Sequence, residues 1–298
     1  MPVAERLLVV ALGGNALSPP GGAQSYDVER ASIARAAVAL AALAAQGWRL
    51  LVVHGNGPQV GRLLRDDADA DDLDLHVAQT QGELGVLLAE AIEREAAAPT
   101  VAVVTRVLVD AHDAAFAAPT KPIGPVLATP PPGAACVAVA GGWRRVVASP
   151  RPLQVVEQDA IATLLRTHHV IAGGGGGVAL AREVLRSRGL AVVVDKDRVA
   201  ARLAITLDAQ ALVFATDVAG VEDAHATPQA RLRPRLTVAD AQALLAAGVL
   251  GAGSMGPKVE SAADYVAATG RSARIVHADA IAAAFDGSAP GTVVVPGR

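Results

Sequence analysis

Leu7-Leu8-Val9-Val10-Ala11-Leu12-Gly13-Gly14-Asn15-Ala16 is six apolar residues in a row, stopped by a glycine pair. An unbroken apolar run of this length reads as a strand covered on both faces, since a strand with one wet face alternates apolar and polar positions. The same pattern recurs outward along the chain. A second run at 50–53 stops at His54-Gly55-Asn56-Gly57-Pro58-Gln59, and an Ala/Leu-rich stretch of helical period at 33–45 separates the two. Further strands are expected at 101–104, 170–172, 191–194 and 211–215, and helices at 79–94, 159–166, 178–188, 238–246 and 259–269. Strands alternating with helices define the α/β class: a mostly parallel sheet with helices on both faces. No internal repeat is evident.

Two stretches break the pattern. Prolines crowd 119–132, and Gly133, Gly141 and Gly142 follow, so the region 110–146 reads as a small excursion from the main sheet, a hairpin or flap, with a disordered loop as the competing reading. The six aspartates within 66–74 read as a solvated loop.

At 298 residues the chain is long enough for one large α/β domain or two smaller ones. Hydrophobic residues make up 52% of it, yet no run approaches the roughly 20 residues that span a bilayer, and no basic stretch followed by an apolar segment opens the chain. A soluble, cytoplasmic protein without a membrane partner is expected. Cys136 is the only cysteine, and no Cys/His cluster has zinc spacing, so neither an intrachain disulfide nor a bound metal is expected to hold the fold. A net charge of −3 and an aromatic content of 2% leave no basic footprint and no stacking platform for nucleic acid.

Of the 26 Lys+Arg residues, only Lys121, Lys196 and Lys258 are lysines. Arginine is a planar fork, whereas lysine is a compact point charge able to sit end-on against a phosphoryl oxygen, so a site needing the second geometry retains lysine in an arginine-rich chain. Four of the strand ends are also glycine-rich: Gly13-Gly14-Asn15-Ala16, His54-Gly55-Asn56-Gly57, the run 173–177 and Thr216-Asp217-Val218-Ala219-Gly220. In open α/β sheets ligands bind at the carboxyl ends of strands, where glycine lets backbone N–H groups approach an anion. The run 173–177 is not a dinucleotide fingerprint, because Val178 falls where the last glycine would stand, and no P-loop is present.

Several stretches together resemble the carbamate kinase family of the amino acid kinase superfamily. They are Ala11-Leu12-Gly13-Gly14-Asn15-Ala16-Leu17, His54-Gly55-Asn56-Gly57-Pro58-Gln59-Val60-Gly61, Gln79-Thr80-Gln81-Gly82, Thr120-Lys121-Pro122-Ile123-Gly124-Pro125, Gly142-Trp143-Arg144-Arg145-Val146-Val147, Asp195-Lys196-Asp197 and Gly253-Ser254-Met255-Gly256-Pro257-Lys258. The resemblance runs over nearly the whole chain and implies a three-layer αβα sandwich forming one amino acid kinase-like domain over 1–298, with a protruding flap subdomain at 111–146. It further implies a homodimer and reversible phosphoryl transfer between ATP and carbamate, giving ADP and carbamoyl phosphate, in arginine or other nitrogen catabolism. The N-terminal half would hold carbamate, and the half from about 160 to 298 the nucleotide, with Mg2+ carried on the nucleotide phosphates. The alternatives are another amino acid kinase acting on a different carboxylate, or a catalytically silent sensor of nucleotide or carbamoyl phosphate.

Carbamate is already an anion and needs no general base; the obstacle is repulsion between two anions and the charge spread over the transferring group. Positioned cations and backbone N–H groups answer both. Lys196 and Lys258 are therefore expected on the phosphoryl oxygens, Asp197 as the anchor of Lys196, and Lys121 as a clamp reaching in from a stiff flap tip set between Pro119 and Pro125. Gly13, Gly14, Asn15, Gly55, Asn56 and Gly57 are expected at carbamate and the transferring group. The resemblance implies Gly174, Gly175, Thr216, Asp217, Val218, His225, Met255 and Pro257 at the nucleotide. His54 is expected as a turn or core histidine rather than a proton carrier, because the chemistry asks for no proton transfer. The chain departs from the family pattern at Gly177-Val178, usually Ile-Pro, at His225-Ala226, often Tyr and Gly, and at Pro130-Pro131-Pro132-Gly133, which stands in place of a helical stretch.

Overall fold

The computed structural model describes residues 6–18, 25–66, 72–181, 189–225, 227, 229–250 and 255–297, and of Asn15, Arg65 and Asp66 the backbone only. Strand Leu7–Leu12 lies inside an eight-stranded sheet, between Ala211–Thr216 and Arg49–His54. Beyond Arg49–His54 come His169–Ile171 and then Thr100–Ala102; beyond Ala211–Thr216 come Ala273–His277, Gly291–Val295 and Arg235–Thr237. The six strands from Ala273–His277 to Thr100–Ala102 are parallel, and Gly291–Val295 reverses direction at the margin.

The apolar run is explained by its two faces. Leu7, Val9 and Ala11 enter a core shared with helices Lys196–Thr206 and Met255–Thr269, while Leu8, Val10 and Leu12 enter a second core beneath helices Tyr26–Ala45 and Leu73–Ala96. All six residues are at most 1% exposed, as a central parallel strand requires. Three layers, helices on sheet on helices, follow.

Several elements differ from the sequence expectation. Val178–Ala181 is a strand pairing in parallel with Arg106–Val109, not the start of a helix, and 182–188 lie outside the described residues. The stretch 191–194 joins no sheet; Val193 instead donates its N–H to the Ala148 carbonyl, so the segment feeds Asp195 into the site under the flap's return strand. The aspartate stretch is not all solvated, because Asp74 is buried on helix Leu73–Ala96. The region 110–146 carries a three-stranded antiparallel sheet of Lys121–Leu127, Gly142–Val147 and Cys136–Val139, seated through Ile123 on Val60 and Leu64 of helix Gly57–Asp66. Its register corrects the expectation for Lys121. That lysine pairs with Val147, immediately before the chain returns to the body, and so stands at the root of the flap, not at its tip.

Two buried histidines make the fold acid-sensitive. Burial pushes the imidazoles of His54 and His169 down to about 4, and the Nδ1 of His169 accepts the Leu50 N–H at 3.1 Å, which a protonated ring cannot do at that nitrogen. Between the unfolded value near 6.5 and the folded value the unfolded chain binds more protons, so stability is full near neutrality and falls as pH drops through that window. Urea denaturation at pH 7 and pH 4.5 should show a loss on the order of 3 kcal/mol. A flat profile across that interval would remove both histidines as the cause.

Candidate active site

Helix Lys196–Thr206 begins where Asp195 accepts the Asp197 backbone N–H on Oδ1 at 2.9 Å, a side-chain cap that fixes the first turn. Lys196 and Asp197 follow at once on that turn. On the same side of the sheet, helix Met255–Thr269 carries Lys258 in its opening turn, just after Pro257, where a missing N–H costs nothing. Asp197 lies between them. Its Oδ1 is 2.6 Å from Lys196 Nζ, and its Oδ2 is 3.2 Å from Lys258 Nζ. The Lys258 and Asp197 side chains are each 3% exposed. From the flap, Lys121 brings its Nζ to 2.6 Å from Asp195 Oδ2.

A cation in the first turn of a helix stands against the positive end of the helix dipole. Here two helices open with lysines, and Asp195 and Asp197 hold three ammonium groups together in one cluster at those helix starts. Burial pushes the Lys196 ammonium below the ordinary lysine value, against the pull of Asp197 and with added repulsion from Lys258. Burial also opposes ionisation of Asp195, but Lys121 and then Lys196 override it and hold that carboxyl well below the usual carboxylate range. A brace sets the two helices: Arg198 Nε donates to Glu260 Oε2 at 2.9 Å, joining residues two positions beyond Lys196 and Lys258.

These groups line a cleft of about 640 Å3, together with Gly13, Gly14, Thr216 and Asp217. Its lining also takes in Ser32, Arg35 and Ala39 of helix Tyr26–Ala45, with His277 and Asp279. The structure therefore brings together Lys121, Lys196, Lys258, Asp197, Gly13, Gly14, Thr216 and Asp217 from the expected set.

Others of that set lie beneath or beside the cleft. Gly55 packs under its floor: a Cβ there would stand 2.7 Å from the Gly14 N and 3.3 Å from the Lys196 Cε, so only glycine allows this approach. Asn56 is buried, donating from Nδ2 to the Thr80 hydroxyl at 2.8 Å. Gly174 and Gly175 are buried against the His54 ring and the Asn56 side chain. Gly176, with φ +89, passes so close to the Val194 carbonyl that a Cβ would lie 1.9 Å from its oxygen. The glycine run thus packs directly against the segment that delivers Asp195. Gly57 is exposed at the start of helix Gly57–Asp66. Val218, Met255 and Pro257 flank the cleft without lining it, and His225 is exposed on a small hairpin, its Nδ1 2.8 Å from Glu222 Oε2. The Asn15 side chain, Gly253 and Ser254 lie outside the described residues, as does Ala226.

Sequence reasoning left two parts of the site without a role. Asp195 was legible as the first residue of an Asp-Lys-Asp triplet, a capping pattern, yet nothing local ties it to Lys121, 74 residues away. Gln81 clamps Thr105 through its N–H and hydroxyl at 2.9 and 2.7 Å, and the Thr105 hydroxyl accepts the Gly173 N–H at 2.8 Å. The Gln-Thr-Gln stretch was the available signal for that support of the glycine run.

A phosphate-friendly cleft at the carboxyl ends of a parallel sheet, ringed by lysines from two helix starts, defines a phosphotransferase of the amino acid kinase type. The chain belongs to the amino acid kinase family, whose sequence pattern matches residues 6–277. Among its relatives, carbamate kinase of Halobacterium salinarum is 38% identical over 302 residues, covering 97% of this chain and 98% of that protein. Carbamate kinase of Escherichia coli (strain K12) is 39% identical, covering 91% and 93% respectively. The solved structure of carbamate kinase from Giardia lamblia bound to AMP-PNP superposes with a TM-score of 0.89 at 33% identity, covering 99% of this chain and 100% of that one.

Proposed function

We propose that this chain is a carbamate kinase, moving a phosphoryl group reversibly between ATP and carbamate. The observation that carries the reading is the shared carboxylate: Asp197 holds Lys196 and Lys258 side by side at two helix starts, facing a cleft that Lys121 enters from the flap. An acceptor that is already anionic needs no proton removed, and His54, buried and outside the cleft lining, offers no base to it. What the chain supplies is charge and position. Lys196 and Lys258 neutralise the equatorial phosphoryl oxygens, Gly13 and Gly14 present backbone at the floor, and Lys121 closes on the carbamoyl side. Thr216 and Asp217, at the end of strand Ala211–Thr216, border the side assigned to the nucleotide, which takes in 160–298. Val218, His225, Met255 and Pro257 belong to that assignment from outside the cleft lining, and Gly174 and Gly175 act in it only as packing beneath the site. Asn56, Gly55 and Gly57 support the carbamate side from below. Synthesis of ATP from carbamoyl phosphate and ADP by the purified protein tests the reaction, and absence of turnover would reject it.

Mg2+ fits this site as a passenger on the nucleotide. Among the described residues no group of three or more His, Cys, Asp or Glu is placed to hold a metal, and Asp195 and Asp197 are engaged by lysines, so the phosphates supply most of its coordination. Carried in with the nucleotide, it would supply neutralisation of phosphoryl charge. Removing divalent ions with chelator should abolish turnover, with recovery on adding Mg2+; turnover that survives chelation would contradict it. A homodimer in the cytoplasm is part of the same proposal. No helix among the described residues is long and apolar enough to cross a membrane. Sedimentation equilibrium reads the dimer directly.

A further inference from the structure

We propose that Asp195 is a positioning residue for this reaction: its carboxylate directs the Lys121 ammonium toward the place of the carbamoyl phosphate phosphoryl group. The proposal rests on the carbamate kinase reading and gives a role to a group that reading does not use. One oxygen of Asp195 meets Lys121 Nζ at 2.6 Å and the other accepts the Asp197 N–H at 2.9 Å. A single carboxylate therefore joins the root of the flap to the backbone of the residue that holds Lys196 and Lys258. Asp195 is 5% exposed, whereas the Lys121 side chain is 37% exposed, so the carboxylate is the fixed partner and the lysine the one that has to be held. A free lysine loses much rotamer freedom when it meets a phosphoryl oxygen. Held by Asp195, it has lost that freedom before substrate arrives.

A carboxylate lining a cleft for anions otherwise works against binding. Simple electrostatics says that neutralising it tightens carbamoyl phosphate, while the positioning role says that binding weakens. The two predict opposite signs.

Asp195→Asn separates them, because asparagine caps a helix about as well as aspartate and keeps its shape, so the first turn survives while the charge is lost. In steady-state kinetics at saturating ADP, the KM for carbamoyl phosphate should rise about tenfold, the loss of one charged hydrogen bond, with a smaller change in kcat. Lys121→Ala should raise the same KM at least as far while leaving ADP affinity, titrated calorimetrically without carbamoyl phosphate, nearly intact. The double variant should be no worse than Lys121→Ala, because Asp195 acts through that lysine. An unchanged or lowered KM in Asp195→Asn, or losses that multiply in the double variant, would overturn the role. Asp195→Ser, which also caps, repeats the measurement if the asparagine variant does not fold. Hydrogen exchange of the flap root in the empty protein, residues 121–123 and 145–148, reads the tether without turnover: it should quicken in both single variants and no further in the double, and unchanged exchange counts against the proposal. If the unmodified protein does not turn over carbamoyl phosphate, the reaction is misread; if it does and the cycle is additive, Asp195 is.

Discussion

Replacing Lys258 by alanine should lower kcat on the order of 100-fold or more with the fold retained, the size seen when one preorganised donor is removed from a developing charge. The fold should survive because Asp197 keeps Lys196 at 2.6 Å, so no carboxylate is left orphaned. Lys196→Ala should behave alike, with Lys258 at 3.2 Å remaining as the partner. Lys258→Arg should also be damaging: the Lys258 side chain is 3% exposed, and a planar fork does not fit a buried point-charge position. Steady-state kinetics alongside a thermal melt checks the pair. Turnover unchanged in Lys258→Ala would remove that lysine from the chemistry.

Asp197→Ala should act on stability as well as on rate. Its carboxylate pairs with two buried ammonium groups, and removing one partner of a buried ion pair costs about 3–5 kcal/mol. Urea denaturation measures it. Adding Lys258→Met to that variant removes one of the two cations that faced the lost carboxylate and should recover part of the stability while turnover stays lost. A stable single variant, or a double variant no more stable than the single, would show that the three charges are not coupled as the distances imply.

Legibility in the sequence followed local pattern. Leu7–Leu12 and Val238–Ala246 match their expected bounds, the first because a strand covered on both faces is apolar throughout, the second because its Ala/Leu-rich stretch has a helical period; the structure adds a Thr237–Asp240 capping box at its start. Val178–Ala181 was read as helix because a short apolar run has no period of its own; pairing with Arg106–Val109 decides it. The flap strands carry prolines and glycines, and their cross-strand partners, not their composition, make them a sheet.

From the chain alone came the α/β class, the glycine stops at the strand ends and the three lysines, since each is a local matter of residue type: which side chains can be buried, where backbone can approach an anion, which cation is a point charge. Only the tertiary structure decided how those lysines are held. Asp197 reaches Lys258 across 61 residues and Asp195 reaches Lys121 across 74, contacts between elements that no local pattern encodes. It also turned the run 173–177 from an expected phosphate loop into a packing device, because closeness to Asn56 and Val194 is a property of two distant segments brought within contact, and a glycine shows in sequence only that something comes near it.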